Sequence, residues 1–336
     1  MKTDEETRRH GDKETRRGRA GRLLLLVSLS PCLLVFPNGC NAPPPTGPRG
    51  DAVLTNAMSS ARLAFERGLN TEAVVLYRQA LDRAREMDDS AAIADAAYNL
   101  AAGLVQAGEY GQARLALLEA EAEARRSGRN VADILLLRAK AARLGGMPSE
   151  AVALADRVLT DPASRPTPGH RVQAHVLKGG VAAGERNWAA AEEQAGLARD
   201  ALGRAGDTVS PALLAGVVGL RALTAAGRGD LPAATQLYDR QADLLRQARL
   251  YRDTAGAIAD SAEVWRRLER PAEAGPRFYR AARAAAAQGD AARARSLLSK
   301  ASDAASAARD EPLLVLIRAL RAEWDGPITQ PATSPP

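Results

Sequence analysis

The residues best suited to reaction chemistry are few: three histidines and two cysteines. His10 stands among the first charged residues, so only His170 and His175 belong to the body of the chain. Five positions apart, those two point about 140° away from each other on a helix, and neither a metal nor a proton relay can use them as a pair. No Cys–His or Ser–His–Asp arrangement can be assembled around them. Gly179-Gly180 with Gly184 lacks the Lys-Ser/Thr of a phosphate loop and sits inside a helical pattern. Arg49-Gly50-Asp51 and Arg228-Gly229-Asp230 read as a linker and an interhelical turn. The sequence therefore points away from an enzyme and implies no cofactor, no metal and no small-molecule substrate.

Charge excludes another class. The formal charge is +6, but eight of the 46 basic and five of the 40 acidic residues precede Cys40, so the remainder nets +3. Its cations alternate with acids, as in Arg114–Glu119–Glu121–Arg125, a pattern expected of a solvated face with weak ion pairs. A nucleic-acid surface needs clustered cations and stacking aromatics, and aromatics are only 4% of this chain. Nucleic acid is not an expected partner.

Cys40 is placed differently from any other reactive residue. A charged stretch with Arg16, Arg17, Arg19 and Arg22 leads into the apolar run Leu23 to Phe36, then Pro37-Asn38-Gly39-Cys40. A basic start and a short apolar segment make a secretory signal, too short for the roughly 20 residues of a spanning helix. Gly39-Cys40 resembles the lipobox of bacterial lipoproteins, which implies removal of Met1–Gly39 and lipidation of Cys40. Residues 40–51, with Pro43, Pro44, Pro45 and Pro48, read as a semi-rigid spacer between the anchor and a folded body. Cys32 lies within the apolar run, so no disulfide framework is expected. The alternative is a cytoplasmic regulatory or sensor module in which the leader has another meaning.

From residue 52 the chain is expected to be all-α. Alanine and leucine dominate, and strand-favouring residues are sparse. Alanines three residues past successive turns fall at 73, 113, 151, 191, 234 and 274, spaced 40, 38, 40, 43 and 40. A fixed period in this range marks a stacked array of helix pairs. Gly68, Gly108, Gly146 and Gly229 stand where the first helix of a pair must stop, and Pro148, Pro232 and Pro271 where the second begins. The motif restarts at Ala294-Leu298-Ala301, only 20 residues after Ala274, so the helix near 272–287 should serve two pairs. Glu311–Trp324 reads as a final capping helix and the residues from 325 to 336 as a disordered tail.

The pattern resembles the tetratricopeptide repeat, most closely at Ala97-Leu100-Ala101-Leu104-Gly108-Ala113 and Ala262-Trp265-Ala274-Phe278-Ala281. The resemblance implies a right-handed superhelical solenoid of six to seven units over 52–324, and a scaffold that binds a protein or peptide in its concave groove. Transferred position by position, the groove would be lined by Met58 and Arg62, then Tyr98, Asn99 and Ala102, then Leu136 and Lys140. Val176, Gly180 and Leu223 would follow. The family's carboxylate clamp needs Lys and Asn in its first unit; Met58 and Arg62 stand there, and Asn99 is the one matching polar position. The small residues of the middle are expected to leave an apolar trough able to receive a partner helix.

Overall fold

A computed structural model describes residues 51–206 and 209–325, and these form fourteen α-helices without a strand. The expected leader, Cys40 and most of the proline spacer lie outside the described residues, as does the tail beyond Asp325. Six antiparallel pairs come first: α1 Ala52–Glu66 with α2 Asn70–Glu86, α3 Ser90–Ala107 with α4 Tyr110–Arg126, and α5 Ala132–Leu144 with α6 Pro148–Thr160. They continue as α7 Pro168–Gly184 with α8 Trp188–Gly203, α9 Pro211–Arg228 with α10 Leu231–Gln247, and α11 Tyr251–Arg267 with α12 Pro271–Ala287. Helices α13, Ala291–Ala308, and α14, Glu311–Asp325, end the array. Helix α12 packs on both α11 and α13, as its shortened spacing implies.

The punctuation works as the residue types require. Gly68, Gly108, Gly146 and Gly229 take left-handed φ values of 77°, 82°, 77° and 90°, a conformation that only glycine adopts cheaply. The prolines at 148, 232 and 271 lie in the first turns of α6, α10 and α12, where a missing N–H costs nothing. Asp51, Asp89 and Asp230 accept backbone N–H bonds at the starts of α1, α3 and α10. The repeating alanines Ala73, Ala113, Ala151, Ala191, Ala234 and Ala274 are all fully buried, which places them at the close contacts within pairs.

Neighbouring first helices touch one another directly in the middle of the array, α5 with α7 and α7 with α9. Among the second helices from α2 to α12, no contact of that extent occurs. The odd-numbered helices therefore line the inner side, crowded together from α3 to α9, and the even-numbered helices splay outside it. Side chains link the outer layer: Arg85 of α2 holds Glu119 of α4 at 2.6 Å, Arg114 of α4 holds Glu150 of α6 at 2.8 Å, and Arg277 of α12 holds Asp239 of α10 at 2.8 Å. No helix among the described residues is long and apolar enough to cross a membrane.

Candidate functional site

The inner layer is built from small residues because its helices must come close. Six successive residues of α3, Leu100 to Val105, are buried, as are six of α11, Asp253 to Ile258. An unbroken run of that length covers every side of a helix, so these segments are enclosed all round and not along one stripe. In α5 a single residue interrupts such a run, where Arg138 divides the buried Ile134–Leu137 from the buried Ala139–Ala142.

This crowding decides the fate of the expected groove. Ala102, Leu136, Lys140, Val176 and Leu223 are each 5–7% exposed, and Gly180 is buried with them. They are brought together along the inner layer, but as packing between helices. The expected open apolar trough is therefore corrected. A Cβ added at Gly179 would stand 2.5 Å from Cδ2 of Leu220, and one at Gly219 would stand 2.3 Å from Nε2 of Gln241. The space that small side chains release is taken up by neighbouring side chains, because protein interiors fill to crystal-like density.

The N-terminal end differs. Arg62 is exposed, with Nε 3.8 Å from the Glu66 carboxylate, and Met58 is half-buried against the first pair's core. Tyr98 and Asn99 of α3 keep part of their surface. Desolvation holds the Tyr98 phenol well above its ordinary value. The Asn99 amide nitrogen donates to the Asp95 carbonyl at 2.8 Å, which leaves its oxygen as an acceptor for an incoming N–H. These four accessible positions combine an apolar thioether, an aromatic ring, a cation and an amide.

The histidines do not converge. The backbone N–H of Thr167 donates to Nδ1 of His170, whose Nε2 lies 3.1 Å from Asp133; His175 meets Gln194 at 2.9 Å. His170 thus closes a capping box at the start of α7. Arg228-Gly229-Asp230 is the α9–α10 turn, with Asp230 capping α10. Among the described residues no group of three or more His, Cys, Asp or Glu could hold a metal.

One polar centre departs from the expectation of a solvated charged face. Glu121 is 7% exposed, and its carboxylate accepts hydrogen bonds from Arg125 of its own helix, Arg138 of α5 and Arg157 of α6. It belongs to the buried face of α4, four residues beyond Leu117, a register visible in the sequence but masked by the alternating charges around it.

No family model and no curated protein matches the chain. Solved structures do. The chain is similar to a Rap protein complexed with competence and sporulation factor, with a TM-score of 0.55 and 17% identity over 72% of this chain and 66% of that one. It is also similar to the apo form of RapI, with a TM-score of 0.52 and 10% identity over 76% and 98% of the two chains. A tetratricopeptide repeat protein from Parabacteroides merdae matches with a TM-score of 0.45 and 13% identity over 80% and 98%. The fold is thus an all-helical repeat array of tetratricopeptide type.

Proposed function

We propose that this chain is a non-catalytic scaffold that binds a protein or peptide at the N-terminal end of its inner layer. The observation that carries the reading is the contrast among the expected groove positions: Ala102, Leu136, Lys140, Val176, Gly180 and Leu223 are buried, while Arg62 is exposed and Met58, Tyr98 and Asn99 keep part of their surface. Arg62 suits a carboxylate, Met58 adapts its shape to apolar side chains, and Tyr98 offers the uncovered part of a rigid ring. That a similarly folded Rap protein is complexed with competence and sporulation factor supports the class of partner.

Site-directed photo-cross-linking tests the reading. A photoreactive residue at Met58 or Tyr98 should capture a discrete protein or peptide in cells, whereas the same group at Leu197, on the exposed outside of α8, should not. Adducts formed only at Leu197, or none at either inner position, would overturn the assignment.

We further propose that the scaffold works in a bacterial cell envelope, held by a lipid on Cys40. The support is in the sequence: the basic start, the apolar run, Gly39-Cys40 and the proline spacer.

A further inference from the structure

The outside of α4 carries a feature that neither the fold nor the inner layer uses. Gly111, Leu115, Leu118 and Ala122 are all exposed, Leu115 at 69% and Leu118 at 49%. Their spacing of four, three and four places them on one face of the helix. Val75 at the equivalent position of α2 is 52% exposed, and exposed Ala153 occupies it on α6. The stripe on α4 is the apolar centre of this outer face, with Val75 and Ala153 on the helices either side of it, and an exposed apolar centre of this kind marks an interaction site.

We propose that this face binds a second copy of the same chain about a two-fold axis, with α4 antiparallel to its counterpart. Three observations select that occupant. The stripe reads small–Leu–Leu–small in both directions, so an antiparallel copy sets Leu115 opposite Leu118 and Gly111 opposite Ala122, the self-complementarity that a two-fold interface demands. The flanking charges agree: Arg114 lies toward the N-terminal end and Glu119 toward the C-terminal end, so each comes level with the other's opposite in the second copy. Both are already neutralised within the chain, Arg114 by Glu150 at 2.8 Å and Glu119 by Arg85 at 2.6 Å, so docking strands no charge. The area also fits. Helices α2, α4 and α6 have 17, 17 and 13 residues. At 1.5 Å per residue and about 10 Å per helix their whole outer footprint, polar residues included, is on the order of 700 Å² per copy. A standard stable interface needs about 800 Å² per partner.

Sedimentation velocity on the full chain decides the matter. A two-chain mass is expected at micromolar concentration, and Leu115→Glu with Leu118→Glu should weaken dimerisation roughly a hundredfold or more. Leu197→Glu, another exposed apolar position on a second helix, should leave the dimer intact. Because both α4 leucines are exposed, the double variant should keep the parent's helical circular dichroism, and its melting temperature should match that of the parent diluted below its dimerisation range. A single-chain mass for the parent, or a dimer that survives the double variant, would overturn the proposal. Equal loss with Leu197→Glu would also overturn it, since association would then be nonspecific.

Discussion

At the scale of single residues, Glu121 shows how much a buried carboxylate depends on its company. Burial alone would raise its carboxyl, but hydrogen bonds from Arg157 and Arg125 and the nearby Arg138 outweigh that and hold it below its ordinary value of about 4.5. Asp161, bonded to Arg125, is lowered as well. A carboxylate depressed in the folded state contributes stability that is complete above the ordinary value and lost as pH falls through the folded one. Glu121→Gln should therefore lower stability by about 2–4 kcal/mol at neutral pH. In urea titrations the deficit should hold from pH 6 to about pH 4.5 and shrink as pH falls further, through the depressed value of the folded carboxyl. A deficit that does not change with pH would show that Glu121 acts through shape and not charge.

At the scale of elements, the helix starts and stops were legible because each depends on a local property. Glycine at a left-handed position and proline in a first turn announce themselves without knowledge of neighbours. The openness of the inner layer was not legible, since Gly180 and Ala102 read equally as the floor of a trough and as a contact plane. Only the paths of α5, α7 and α9 distinguish the two. The burial of Glu121 escaped for a similar reason: the alternating charges of α4 hide its register with Leu117. The alanines inside pairs carry a sharper expectation. Ala113 and Ala191 are fully buried where two helices meet. Ala113→Phe or Ala191→Phe should overpack the pair and cost about 1–3 kcal/mol in thermal unfolding, and an unchanged melting temperature would mean the contact is looser than described.

At the scale of the whole molecule, the core is graded along its length. One buried cluster runs from Ala61 to Val181 and another from Ala215 to Leu320, with small clusters around Val172, Ala198 and Val217 and around Ala183, Ala191 and Leu223 between them. The body of such an array needs no anchor to fold, so the proposed lipid on Cys40 would set location and not stability. Cys40→Ser should move the protein from the membrane to the soluble fraction without changing its melting temperature. Retention in the membrane fraction would sink the anchoring proposal.

The packing partners of each helix, apart from marginal contacts, lie no more than two helices away along the chain. Each helix therefore finds its neighbours almost as soon as it exists, and the loop closed to reach them is short. A chain delivered end first, whether from a ribosome or through a narrow pore, can settle one pair after another while the remainder is still arriving. The earliest pairs do not wait for the last to be made, and little apolar surface is left idle on the way.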